Sequence, residues 1–278
     1  MGAPFLLVEN VFSQVQFPAH TIAATEEPAG HEAFRCADGR RSSLDYAGAT
    51  TANTEWSLTA TFNRLRAIDS VFLDRGHNLA GERIVGEISS DAFSTVETLF
   101  DITVPLAPGA GALDNGLGVV TTEGAWGIRV PVRAGHAFRL RIPAMGADLT
   151  PRVVGLWAGR SWAPPYLGLP VAPNRHELAG ELRRNTIAWQ ARGPTAQLRG
   201  GSVTLQLTDL FEYEIARYHV EGHYGAGRPM WLVFDDEQAD EALQVIRPEG
   251  ALGFGREPRV LYPRAEIGYV EHQPRSVA

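Results

Sequence analysis

The chain reads as mostly β: a β-sandwich followed by a smaller α+β unit. Three observations predict this. Trp56, Leu58, Ala60 and Phe62 alternate with Ser57, Thr59 and Thr61, the period of a strand with one face in a core. The same alternation returns at Trp126, Ile128, Val130 and Val132, and again at Phe138, Leu140 and Ile142. Helical spacing is confined to one short segment, and no heptads occur that would build a coiled-coil shaft.

Taken in order, Phe5–Phe12 supplies a first strand inside an otherwise irregular stretch of fifty residues. After the Trp56 strand, Asn63–Ala67 reads as a turn and Val71–Leu73 as a more fully buried strand. The segment from Asp74 to Gly81, with two glycines and an asparagine, reads as a loop. Ile84, Gly86 and Ile88 resume the sheet. Val104–Gly118, rich in Pro, Gly and Asp-Asn-Gly, reads as a long loop suited to contacts beyond the sandwich. The run Val153–Ala158 closes the unit. Four prolines within Trp162–Pro173 read as an extended, stiff linker.

The expected division is therefore a sandwich over 1–162, a Pro-rich linker over 163–175 and a small α+β domain over 176–278. In that second domain Val203, Leu205 and Leu207 alternate as a strand. Thr208 or Asp209 can cap a helix whose apolar face is Phe211, Ile215 and Tyr218, and Gly222 or Gly225 can end it. Met230–Phe234, Leu243–Ile246 and Arg264–Val270 supply further strands.

Composition narrows the functional classes. Hydrophobic residues make up 44% of 278, enough for real cores, and the net charge of −7 gives nucleic-acid binding little electrostatic support. All 25 basic residues are arginine. Arginine pairs bidentately with carboxylates at subunit contacts, and a GC-rich coding bias produces the same composition. Cys36 is the single cysteine, so no internal disulfide forms, and assembly in a reducing cytosol is the expectation. The opening MGAPFLLVENVF lacks a basic leader region, and Leu6 stands where a myristoylation signal needs Ser or Thr. No apolar stretch approaches the ~20 residues of a membrane span, so no membrane insertion is expected.

The order of elements carries a resemblance. An aromatic-led strand, a short turn, a buried strand, the His77-Asn78-Leu79 loop and a strand ending in Ser89-Ser90-Asp91 resemble the discoidin-like (galactose-binding-like) jelly-roll sandwich found in virion proteins of tailed bacteriophages. Ala37-Asp38-Gly39 matches a turn common in those domains, and Trp126–Val130 with Ala137–Ile142 look like its closing strands. The likeness covers roughly the first 160 residues, and the chain lacks the cysteine pair of secreted discoidin domains. Strand, helix, strand and a β-rich tail in the remainder resemble small α+β domains of tail-tip and baseplate proteins. The resemblance implies a structural protein of a tail, tail tip or baseplate. It would assemble in the host cytoplasm as a homo-oligomer with other tail proteins, and the fold equally allows a carbohydrate-binding module for host-surface glycans.

Enzymatic motifs are absent. His219 and His223 lie at i, i+4, but Glu221 falls two positions after His219, Gly222 interrupts the helix, and no third ligand is evident. No metal site or cofactor is expected. The acidic run Asp235-Asp236-Glu237 with Asp240-Glu241 lacks an EF-hand pattern and reads as a solvated turn or a docking patch for arginines. Gly109-Ala110-Gly111 and Gly250–Gly255 are not phosphate loops, and no Gly-x-Ser-x-Gly elbow occurs. Catalytic residues are expected to be none.

A rim of loops remains: Asp38 and Arg40, His77 and Asn78, Asp114 and Asn115. The His77-Asn78 pair suits a glycan-binding or metal-binding loop. It equally suits a structural one, with Asn78 in a left-handed turn and His77 bonded to the backbone of a neighbouring loop. Trp56, Trp126, Trp157 and Trp231 sit on alternations aimed at cores; Trp162 and Trp189 are freer for an interface.

Overall fold

The fold was derived from a computed structural model of the chain. It describes residues 5–14, 16–37, 46–106, 118–121, 124–146, 149–163, 166–168, 174–177, 182–185, 188–191, 197–207, 210–221, 229–233, 242–246, 252–255 and 264–271. The chain divides into two compact units: Met1–Ala163 with Met230–Leu243 and Pro274–Ala278, and Pro164–Pro229 with Gln244–Gln273.

The first ten strands are β1 (Phe5–Leu7), β2 (Thr21–Ala24), β3 (Ala47–Gly48), β4 (Trp56–Leu73), β5 (Arg83–Ser89), β6 (Glu97–Thr103), β7 (Val119–Val120), β8 (Trp126–Ile142), β9 (Arg152–Val153) and β10 (Leu156–Gly159). The next elements are β11 (Tyr166–Gly168), β12 (Asn174–Glu177), β13 (Leu182–Asn185), β14 (Ala188–Ala191), β15 (Gln197–Gln206) and the helix α1 (Leu210–Ala216). They are followed by β16 (Met230–Val233), β17 (Ala242–Ile246), β18 (Leu252–Gly255) and β19 (Arg264–Glu271).

The first unit is organised by β4 and β8, an antiparallel ribbon of 18 and 17 residues. Sequence reading places a turn at Asn63–Ala67. The chain instead stays in one strand, with register shifts between Thr61 and Arg66 and between Ile68 and Ser70. Such bulges bend a ribbon sharply without breaking it. Both halves line one core: Trp56, Leu58, Ala60 and Phe62 from before the bend, and Ile68, Val71 and Leu73 from after it. Phe138, Leu140 and Ile142 pack with Trp126 and Ile128 in the same way. Phe100 of β6 meets Trp126 edge-on across this core, with ring centroids 5.7 Å apart. β10 and β2 flank β4, β7 flanks β8, and β5 with β6 extends the sheet beyond β8, so one folded sheet makes the sandwich.

At the bend the alternation of β8 lapses. Ile128 is buried, Val130 is half-buried and Val132 is exposed. Leu65 is exposed within the β4 bulge.

A smaller apolar cluster of Phe5, Leu7, Phe72, Ala125, Trp157, Trp231 and Val233 backs the unit. β1 pairs with β16, and Trp231 stacks on Phe72 with centroids 4.5 Å apart. The sequence division places Met230–Phe234 in the second domain. Its strand belongs instead to the first unit, because Trp231 and Val233 find their apolar partners there.

In the second unit, β15 pairs with β19, β11 and β12, β18 pairs with β19, and β13 pairs with β14. Tyr166–Gly168 lies in the segment expected to be linker, and it is a paired strand. The helix runs Leu210–Ala216 and continues as a π-turn, Arg217–Glu221. The buried face is Tyr213, Ala216 and Val220, at ordinary i, i+3, i+7 spacing, so Tyr218, expected on the apolar face, is 71% exposed. No described helix is long and apolar enough to cross a membrane.

Candidate functional site

Because the ribbon folds back on itself, its two ends lie at one end of the sandwich, where several loops meet. Asp74 N–H donates to the Gly155 carbonyl, Ala49 N–H to Pro151 and Gly48 N–H to His31. Gly76 and Gly81 take positive φ (92° and 81°), so the loop from Asp74 to Glu82 reverses twice at residues without a Cβ penalty.

Within that loop, His77 and Asn78 divide the structural roles differently from the structural expectation. The left-handed conformation falls on the two glycines and not on Asn78. Asn78 is the residue that bonds the neighbouring loop. Its Nδ2 donates to the Thr150 carbonyl (2.8 Å) and its Oδ1 accepts from the Arg152 N–H (2.8 Å). His77 closes its own loop, its Nδ1 accepting from the Leu79 N–H at 3.1 Å. Burial, with the charge of Arg152 second, lowers the His77 pKa to about 4. At neutral pH His77 is therefore uncharged.

Asn78 thereby fixes the strand that carries Arg152. β9 pairs with β3, next to Tyr46, and the Arg152 guanidinium lies over the Tyr46 ring, 5.7 Å from its centroid. On the same ring His31 stacks, with centroids 4.0 Å apart and planes 20° apart. Arg152 Nε, His31 Nδ1 and His77 Nε2 are each buried with no hydrogen-bond partner. Among the described residues no carboxylate pairs with Arg152.

Other arginines of this unit are differently placed. Glu87, 5% exposed on the outer face of β5, accepts from Arg139 Nε (2.7 Å) and from Arg141 Nε (3.1 Å). Arg141 also reaches Glu55 (2.9 Å). Arg83 holds Asp101 through two bonds of 2.7 and 2.6 Å, which keeps the Asp101 carboxyl below its usual range. Arg133 pairs with Glu97. Of the outer-face arginines expected as pairing groups for neighbouring subunits, Arg139 and Arg141 thus bond carboxylates of their own unit, while Arg129 lies over the Phe5 ring.

Of the predicted rim residues, the structure brings His77 and Asn78 to the loop end. Asp38, Arg40, Asp114 and Asn115 lie outside the described residues, as do His223 and the acidic run from Asp235 to Glu241. Sequence reading missed His31, Tyr46 and Arg152. A signal was present for the last: an arginine enters the strongly apolar run Val153–Ala158 directly after Pro151. Trp56, Trp126, Trp157 and Trp231 are buried as expected, and Trp162 bridges to Leu6. No group of three or more metal-binding side chains occurs among the described residues.

Strand ladders and a packed interior define a mostly β protein whose first unit is a β-sandwich. No family model and no curated protein matches the chain. Solved structures overlap it at low identity. Chitosan-binding module 1 of a Paenibacillus sp. IK-5 chitosanase/glucanase is 15% identical, over 54% of this chain and 96% of the module, with a TM-score of 0.39. A Clostridium perfringens module crystallised with GalNAc-β-1,3-galactose is 11% identical over 51% and 95%, at 0.39. A pectin-binding carbohydrate-binding module is 10% identical over 50% and 89%, at 0.38.

Proposed function

We propose that this chain is a non-catalytic carbohydrate-binding protein whose working surface is the loop end of the sandwich. One contrast carries the reading. Arg83, Arg133, Arg139 and Arg141 are bonded to carboxylates, whereas Arg152, at the loop end, lies over Tyr46 with no acid paired to it among the described residues. Aromatic rings combined with convergent polar side chains suit a ligand with an apolar face and hydroxyl groups. A glycan array probed with the full chain should show selective binding that is lost on Asn78→Ala. Uniform absence of glycan binding at millimolar concentrations would end this reading.

A second reading is supported by the opposite end, where Leu65, Val96 and Val132 are exposed on and beside the bend. Here the protein is a phage tail, tail-tip or baseplate component that assembles as a homo-oligomer with other tail proteins, multiplying weak contacts through symmetry. The two roles are compatible in a virion protein that also adsorbs to host glycans. Absence of the polypeptide from purified particles would remove the assembly role.

A further inference from the structure

Resting on the carbohydrate reading, we infer that the loop end recognises an acidic sugar, with Arg152 receiving a carboxylate or sulfate group beside His31, Tyr46 and His77. Arginine is the side chain best matched to these anions, because its planar fork gives two parallel charge-assisted bonds. In this unit Arg83, Arg133, Arg139 and Arg141 each sit with a carboxylate. Arg152 has instead an aromatic face beneath it and, among the described residues, no acid.

Its surroundings favour an incoming anion. The Arg152 guanidinium lies over the Tyr46 ring, His31 stacks on that same ring, and uncharged His77 stands beside it. His31 and His77 each hold a buried ring nitrogen without a partner. Those nitrogens and Arg152 Nε are covered by protein, so contact with a ligand falls to the two terminal nitrogens of the guanidinium. Asn78 makes the placement rigid, since its two bonds span Thr150 and Arg152. A chain of net charge −7 repels polyanions at long range, so recognition here is a local effect of one preorganised cation.

The test titrates the full chain calorimetrically with three probes: oligogalacturonides, sulfated chondroitin oligosaccharides and neutral galacto-oligosaccharides. The expected result is that at least one acidic probe binds about tenfold or more tightly than the neutral one, with affinity falling as salt is added. Which acidic probe binds separates carboxylate from sulfate recognition. Arg152→Gln should weaken acidic binding by about 10- to 100-fold, and Arg152→Lys should restore part of it. The preference of the unaltered chain is readable even if a variant fails to fold. Equal binding of acidic and neutral probes, or acidic binding that a folded Arg152→Gln chain retains, overturns the inference. Neutral binding alone overturns it while leaving the carbohydrate reading intact. Binding of no probe, acidic or neutral, overturns both.

Discussion

Replacing Asn78 with alanine removes the two bonds that join the loop from Asp74 to Glu82 to the one that leads into β9. The side chain donates to the Thr150 carbonyl and accepts from the Arg152 N–H, each at 2.8 Å. Net loss of a hydrogen bond costs about 1 kcal/mol, and a buried backbone group left unpaired costs about 1–3 kcal/mol. Water can reach this half-buried position and recover part of that, so a total near 2–4 kcal/mol is expected. For a unit of this size each kcal/mol moves the midpoint by roughly 2–4 °C, giving a fall of about 5–15 °C in the thermal transition of the sandwich. Urea unfolding followed by tryptophan fluorescence provides the check, since Trp126 and Trp56 are buried in the same core. Asn78→Asp should recover part of the loss, because it keeps the acceptor for Arg152 N–H and loses the donor to Thr150. An alanine variant within about 0.5 kcal/mol of the parent, unfolding with the same slope, would refute the view that Asn78 fastens the loop end.

The remaining predictions concern charge, packing and surface. Folded His77 has a pKa near 4, below its unfolded value near 6.5, so the unfolded chain binds more protons between those limits. Stability should fall as pH drops from 6.5 to 4, by at most about 3 kcal/mol, and level off below; buried His20, also shifted down by burial, pulls the same way. His77→Asn, which retains an acceptor for Leu79 N–H, should flatten that slope in pH-dependent urea titrations. Glu87→Gln should cost about 2–4 kcal/mol, because Arg139 and Arg141 lose their shared buried carboxylate, and chemical denaturation would measure it. Trp231→Ala should cost about 3–5 kcal/mol through loss of the Phe72 stack, seen as an earlier transition in the melt. Leu65→Ser with Val132→Ser should leave stability within about 0.5 kcal/mol, since both are exposed; any concentration-dependent association measured by sedimentation should diminish if the bend mediates assembly.

Much of the sandwich was legible because alternation reports one-sided burial directly. Trp56 to Phe62 and Phe138 to Ile142 show it cleanly, each inward residue being buried. The bend was misread as a turn, because Asn63 to Ala67 has the polarity of a loop and nothing local reveals that Arg66 and Ala67 keep their partners on β8. β16 reads correctly as a buried strand, but its owner was set by Phe5 and Phe72, more than 150 residues away. The helix face was displaced because Tyr213, Ala216 and Val220 offer a second apolar stripe at helical spacing beside Phe211, Ile215 and Tyr218, and tertiary packing chose between them. The loop-end site was half legible: the His77-Asn78 pair stood out, while His31, Tyr46 and Arg152 come together through β3–β9 pairing that local pattern does not encode.

Backbone amide shifts of the full chain, recorded as a binding glycan is added, test most directly whether the loop end is the working surface. The account predicts perturbations centred on His31, Tyr46, His77, Asn78 and Arg152. Shifts confined to the outer sheet around Glu87 and Arg139, or to the bend around Leu65 and Val132, would contradict it.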